Sequence, residues 1–342
     1  MKRWLSRSLW ALLAVLLVAA AALAWYARQS LPQTDGELRL PGLRAAVEVQ
    51  RDASDVTHIQ AKDPRDVWMA MGYVHAQERG WQLEFNRRIM RGTLSELLGP
   101  ATLDTDRLMR TLGIREAAQR QVARLPQEAQ AALQAYSDGV NAFFAQSDQA
   151  LSPEFLLMRT DPREPARAGR YWDPADSAGW ALMMALDLGG NWGNEVARLS
   201  ALQVLDTQQL WQLFPPYPGE PPASATDLAR LYRELDVYRP QASKLSDAGE
   251  GDHGAVASGL ATDVVAWTQE LGNIEGKGSN NWVVDGSRSK SGKPLLANDP
   301  HLGLSAPAIW YFARLQAPDA GGIKGMDVIG ATLPGTPFVV LG

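Results

Sequence analysis

Apolar residues in this chain change their period twice, and each change restricts which elements can form. From Leu43 to Arg51 they alternate, with Ala45, Val47 and Val49 set against Glu48 and Gln50. Thr57-His58-Ile59-Gln60-Ala61 follows after a short Asp-Ala-Ser-Asp break, so two paired strands are expected. Asp63-Pro64 then reads as an N-cap followed by proline at the first helical position, and Val67, Met71, Val74 and Trp81 recur at helical spacing toward Leu98. More helix is expected from Arg107 to Ala145, broken near Pro126, and again from about Ala178 to Phe214. From Pro240 to Gly278 the composition turns to Ser, Asp, Ala, Glu and Gly, the mark of an exposed linker that tolerates cutting. The pattern turns to strand in Asn281-Trp282-Val283-Val284 and in Pro294-Leu295-Leu296-Ala297-Asn298, on either side of a polar Ser-Arg-Ser-Lys-Ser-Gly-Lys stretch. This order reads as an α+β chain: short strands, a large helical body, a linker, and strands again.

The N-terminus sets the compartment. Lys2, Arg3 and Arg7 precede an uncharged run from Leu9 to Ala27, the form of an export signal, and Ala22-Leu23-Ala24 offers a small-x-small cleavage site. The run also reaches the roughly 18 residues needed to cross a bilayer, so residues 1–30 are either a cleaved signal peptide or a retained anchor. With the basic flank inside, the body is expected on the far side of the membrane, in the periplasm. The first thirty residues carry four positive charges and no acid; subtracting them from the formal −5 leaves −9 on the body. An acidic body of that kind offers no footprint for nucleic acid.

The chain has no cysteine, which removes thiolate nucleophiles, disulfide frameworks and Cys-based metal sites together. Any nucleophile must be oxygen or nitrogen. Gly249-Glu-Gly-Asp-His-Gly254 matches GxGxxG, but no apolar strand precedes it and no helical pattern follows. Gly272 to Gly278 resembles a P-loop, yet its spacing is one short and a glycine stands where the magnesium-binding Ser or Thr belongs. The four histidines, His58, His75, His253 and His301, contain no HExxH pair, so no zinc hydrolase is implied.

What remains is the junction of linker and strand, Lys277-Gly278-Ser279-Asn280-Asn281-Trp282. Cleavage of the Gly278–Ser279 bond would give Ser279 an α-amine whose reference pKa, about 7.7 to 8.0, suits a general base for its own hydroxyl. Nucleophile and base would then be one residue. A hairpin turn centred on Lys290 pairs residues equidistant from it, which sets Ser279, eleven before, opposite His301, eleven after. Opposed side chains in antiparallel strands have Cβ atoms about 4.5–5.5 Å apart, within reach of an imidazole–hydroxyl contact. A slip of one residue would turn the imidazole to the other face. On geometry alone, a strand-start serine and a structural histidine remain an open alternative.

The run Gly278-Ser279-Asn280-Asn281-Trp282-Val283-Val284, with Lys293-Pro294-Leu295-Leu296-Ala297-Asn298-Asp299-Pro300-His301-Leu302, resembles the penicillin acylase family of N-terminal nucleophile hydrolases. Val49-Gln50-Arg51-Asp52, His58-Ile59-Gln60-Ala61, Ala70 to Arg79 and Arg91 to Gly99 resemble the start of that family's α-chain. The resemblance implies an exported precursor that cleaves itself at Gly278–Ser279 and loses its linker as a spacer. Residues 31–240 would be the α-chain, 241–278 the spacer and 279–342 the start of the β-chain of a heterodimer. The fold implied is a four-layer αββα sandwich with a large helical α-chain region.

The activity implied is hydrolysis of a small-molecule amide through an acyl-serine, with Ser279 as nucleophile. His301 matches a position that holds Gln or His beside it, and His there is similar to cephalosporin and acyl-homoserine-lactone acylases. Glu195 resembles an α-chain carboxylate that helps bind a structural calcium, an ion that needs several oxygen ligands; a solvated helix glutamate is the plain alternative. No organic cofactor is implied.

The sequence departs from the family in places. Ser54-Asp55-Val56-Thr57 replaces its usual Gly-Val-Pro, and within Met183 to Gly189, where members line the acyl pocket with residues such as Met184 and Leu188, no aromatic stands at the position that cups a phenyl ring in benzylpenicillin acylases. Leu302 likewise stands where some members have Phe, so aliphatic acyl groups are the expected substrates. The final Phe338-Val339-Val340-Leu341-Gly342 has no polar tail, so the chain is expected to continue. The oxyanion donors would lie beyond it, and these residues alone are expected to be inactive and uncleaved. The competing expectation from another class is an exported envelope protein that binds a ligand without turnover.

Overall fold

The first expected strand pair forms, and it is completed from the far end of the chain. Strands β1 (Glu48–Arg51) and β2 (Thr57–Gln60) run antiparallel with Val49 opposite Ile59. Strands β3 (Gly278–Val284) and β4 (Leu295–His301) make a hairpin of their own. Strands β5 (Tyr311–Ala317), β6 (Met326–Thr332) and β7 (Val339–Leu341) join the first pair in a five-stranded sheet of order β1-β2-β5-β6-β7. Within it β2 and β5 are parallel, with Ile59 opposite Leu315, and the other neighbours are antiparallel.

The computed structural model describes residues 2–146, 149–169, 171–189, 198, 201, 205–213 and 278–342. They fall in two units, Met1–Ala185 with Gly303–Gly342, and Leu186–Leu302. The architecture is mixed helix and sheet. The loose stretch expected from Pro240 lies outside the described residues up to Lys277.

The helices follow the expected signals. α1 (Lys2–Gln29) carries the N-terminal apolar run, and Trp10–Gln29 is long and apolar enough to cross a membrane. α2 (Pro64–Arg91) starts where Asp63 accepts a hydrogen bond from the Arg65 N–H and ends at Gly92 in the left-handed region. A break at Arg79, φ −129° and ψ 24°, divides it, and α3 (Ser95–Leu98) follows as a single turn. The helix expected from Arg107 is divided twice, into α4 (Leu103–Leu112), α5 (Ile114–Val122) and α6 (Gln127–Gln146). Pro126 accounts for one break; the other falls at Gly113, whose φ of 65° lets the chain turn left-handed. α7 (Pro153–Leu157), α8 (Arg163–Arg167) and α9 (Pro174–Leu188) follow, and α10 (Thr207–Leu213) covers part of the last helical stretch.

Alternation along the strands decides which sheet face meets the helices. Thr57, Ile59, Tyr311, Ala313 and Leu315 are buried, and the four other than Thr57 join Val67, Met71, Val74, Leu83, Val140 and Phe144 of α2 and α6 in one core. Each such aliphatic or aromatic side chain contributes about 1.5–3 kcal/mol when fully buried. The two helices touch backbone to backbone. A Cβ on Gly72 would stand 2.1 Å from the Tyr136 carbonyl oxygen, and one on Gly139 would stand 1.9 Å from that of Met69.

Charged groups under this core are paired. Asp176 on α9 is buried and accepts from Arg91 at 2.8 and 2.7 Å and from Arg115 at 2.9 Å, which ties α9 to α2 and α5. Glu84 is buried with Arg87 and Arg88, whose guanidinium groups hold its carboxyl below the usual range despite burial. Breaking such a pair leaves an uncompensated buried charge, so these contacts fix the helix arrangement.

His75 of α2 sits in a hydrogen-bond chain whose direction can be worked out. The Gly335 N–H donates to the Tyr136 hydroxyl at 2.8 Å, which therefore donates onward to His75 Nδ1 at 2.8 Å. Thr332 Oγ1 donates to the Tyr311 carbonyl at 2.8 Å, so it accepts from His75 Nε2–H at 3.1 Å. The imidazole is neutral and fully used, and it joins α2 and α6 to the strand pair β5–β6. Burial, with Arg79 nearby, lowers its pKa from 6.5 to about 3.

Two expectations follow. Gly139→Ala forces the α2–α6 crossing apart and should cost about 3 kcal/mol or more in thermal unfolding, whereas Gly303→Ala, where an added Cβ meets nothing within 4 Å, should be nearly silent. For His75 the folded pKa is depressed, so its contribution is complete above pH 6.5 and is lost as pH falls toward 3. Denaturant titrations should show about 2 kcal/mol lost between pH 6.5 and 5, and His75→Gln should be less stable at pH 7 with a shallower slope over that interval.

Candidate active site

The β3–β4 hairpin carries the residues singled out in the sequence. Its connection runs from Asp285 to Pro294 and is internally bonded. Asp285 accepts from the Ser287 N–H at 2.8 Å, Ser289 Oγ donates to the Lys293 carbonyl at 2.6 Å, and Gly292 adopts φ 71°. A Cβ on Gly286 would stand 2.6 Å from the Gly292 carbonyl oxygen, so the two glycines bring the ends of the loop together.

That loop corrects the expected register. It holds an even number of residues between Val284 and Leu295, so its centre falls between Ser289 and Lys290 and not on Lys290. The pairing is therefore Gly278 with His301 and Ser279 with Pro300. Opposed residues share a face and consecutive residues do not, so Ser279 and His301 point to opposite sides of the ribbon. The cross-strand contact expected between the serine hydroxyl and the imidazole is not formed in the uncleaved chain.

In its place the imidazole has a partner on its own strand. His301 Nε2 lies 2.8 Å from Asp299 Oδ2, and both side chains are about half exposed. Asp299 is not among the residues expected at the site, although strand alternation contained the signal, since residues two apart share a face. Ser279 is exposed at the head of β3, opposite a proline that has no N–H to donate to the ladder.

The remaining expected residues are distributed as follows. Leu302 directly follows β4 and is half-buried, and Leu188, at the end of α9, is half exposed. Met184 is half-buried on α9 in the first unit, whereas Leu188 and Leu302 belong to the second. Glu195, the expected calcium ligand, lies outside the described residues. A cavity of about 420 Å³ in the first unit is lined by Leu40, Val47, Val49, Arg51 and Tyr73 among others, none of them an expected site residue.

Comparison with known proteins gives this geometry a context. The family model described as penicillin amidase matches residues 46–342. The chain is 34% identical over 313 residues to penicillin acylase 2 proenzyme from Pseudomonas sp. (strain SE83), covering 90% of this chain and 36% of that protein. It is 32% identical over 315 residues to the acyl-homoserine lactone acylase QuiP of Pseudomonas aeruginosa, covering 92% and 34%. It is 26% identical over 327 residues to penicillin G acylase of Escherichia coli, covering 86% and 37%. The chain thus spans about a third of the length of the curated relatives it matches. A solved chain of thermostable penicillin G acylase from Alcaligenes faecalis aligns with a TM-score of 0.41 at 26% identity, covering 52% of this chain and 96% of that one.

Proposed function

This chain belongs to the penicillin amidase family, and from that premise we propose that it is the leading part of an exported acylase precursor whose nucleophile is Ser279. The observation that carries the reading is the placement of Ser279 as an exposed residue at the head of β3, within the matched region. Cleavage of the Gly278–Ser279 bond turns its peptide nitrogen into an α-amine. The amine takes the hydroxyl proton as Oγ attacks the carbonyl carbon of a carboxamide, and gives that proton to the departing amine. Water then hydrolyses the acyl-serine ester, regenerating the hydroxyl and releasing the acid.

The observed register refines the role proposed for His301. Its cross-strand partner is Gly278, the residue that supplies the scissile carbonyl. When Gly278 leaves, the vacated side of the ribbon ends at the new α-amine, so the imidazole, held by Asp299, neighbours the base and not the hydroxyl. The two halves produced by the cut would stay together as a heterodimer because the β2–β5 ladder and the His75 chain join residues from both sides of it. We take α1 as the element that delivers the body across the membrane, and as an anchor if it is retained. Calcium at Glu195 rests on the family resemblance alone.

The relatives named as penicillin acylase and acyl-homoserine lactone acylase support amides with a removable acyl group as the substrate class. Aliphatic side chains at Met184, Leu188 and Leu302 favour an aliphatic acyl chain. No observation favours the non-catalytic binding role.

Mass spectrometry of the full-length protein should find a new N-terminus at Ser279. Ser279→Ala should abolish it and lower amide hydrolysis by more than about 10⁴-fold, as loss of a nucleophile does elsewhere. An intact Gly278–Ser279 bond in protein that is also inert to serine-directed acylating reagents would overturn the reading. The aliphatic preference is checked separately: kcat/KM for a hexanoyl amide should exceed that for the matching phenylacetyl amide.

A further inference from the structure

Among the described residues, hydrogen bonds fasten the end of α1 to residues 149–151, ahead of α7. The Tyr26 hydroxyl donates to the Leu151 carbonyl at 2.8 Å, the Ala150 N–H donates to the Gln29 carbonyl at 3.0 Å, and Gln149 Nε2 donates to the Ser30 carbonyl at 2.9 Å. Trp25 and Tyr26 close the apolar span Trp10–Gln29, and aromatic residues at the end of a span mark the membrane–water boundary. Through Tyr26 that boundary is tied to Leu151.

Beyond Leu151 the chain enters α7, whose last three residues, all apolar, divide sharply. Phe155 is buried against Trp81 and Phe144, with ring centroids 5.2 and 5.9 Å away, whereas Leu156 and Leu157 are 64% and 72% exposed. Two extended residues and one helical turn separate Leu157 from Leu151, a span of about 15 Å or less. On the other side of the fastening, Leu31 is 63% exposed. Charges around α7 balance, with Glu154, Asp161 and Glu164 against Arg159, Arg163 and Arg167, so nothing there selects an acidic or basic protein partner. Adjacent exposed leucines that follow a buried phenylalanine, a short stretch of chain from the residue bonded to the end of a membrane-length helix, suit the apolar edge of a lipid bilayer.

We propose that α7 is a membrane-contacting element: Leu156 and Leu157 enter the interfacial layer of the bilayer that α1 spans and fix how the body stands on it. This rests on the reading of α1 as a retained anchor. The contact is apolar, so it requires no anionic lipid. Its consequence for the protein is that the body is set against the membrane surface and is not free to swing on its tether.

These 342 residues contain no cysteine, so once any cysteine in the rest of the full-length protein is replaced by serine, a label reports a single site. Single cysteines replace Leu16 in α1, Leu157 in α7 or Leu112, which is 45% exposed on α4 beside the far end of α2. Each full-length variant carries a nitrobenzoxadiazole label and is reconstituted into phosphatidylethanolamine–phosphatidylglycerol vesicles and, separately, into phosphatidylcholine vesicles, with nitroxide-bearing lipids as quenchers. Loss of fluorescence at positions 16 and 157 but not at 112, in both lipid mixtures, is the expected result. Quenching at 16 without quenching at 157 overturns the α7 contact and leaves the anchor standing. An unquenched label at 16, or its loss with a cleaved peptide, overturns the anchor and with it this proposal. Quenching at 112 equal to that at 157 overturns the assignment to α7, and quenching at 157 confined to the anionic vesicles overturns its apolar character.

Discussion

Parallel strands cannot be joined by a tight turn, so the ladder between β2 and β5 obliges everything between them to leave the sheet and return. Thr57 and Tyr311, whose hydroxyl groups meet at 2.6 Å, are 254 positions apart. Closing so long a loop costs conformational entropy before any contact compensates for it. The helices of the first unit supply that compensation by covering the inner sheet face with one apolar core. They do so at the closest possible range, because Gly72 and Gly139 let the backbones of α2 and α6 meet.

Around this closure the structure places polar groups that tolerate no vacancy. The chain Gly335–Tyr136–His75–Thr332–Tyr311 satisfies every member and fixes one tautomer. Its stability against acid depends on keeping a buried imidazole neutral, which burial itself enforces. Asp176 and Glu84 are the complementary case: charged, buried and surrounded by arginine, they position α9 and the middle of α2 by the cost of leaving any one of them alone. The fold therefore joins residues from both sides of the Gly278–Ser279 bond through backbone ladders and hydrogen bonds that do not need that bond.

The hairpin shows how one backbone detail redirects chemistry. An internally bonded loop with an even residue count moves the imidazole from the serine to the residue before it. Proposed catalysis then depends on what the cut exposes and less on a contact that exists beforehand. Asp299 gains importance by the same step, because it orients an imidazole that no longer faces the hydroxyl.

The sequence by itself determined the local features: the β1–β2 pair, the Asp63 cap, the break of helix near Pro126 and an apolar N-terminal helix. Caps, periodicity and φ preferences act within a few residues, so a single chain displays them. It also showed Ser279 at the head of a strand, since the change from a linker composition to short apolar runs is local too. Only the tertiary structure decided that β2 pairs with β5, that His75 is a buried structural group, that Leu156 and Leu157 are exposed while Phe155 is buried, and that His301 faces Gly278. Each of these depends on residues far apart in sequence or on the residue count of a closed loop, and neither non-local pairing nor register leaves a trace in composition or period.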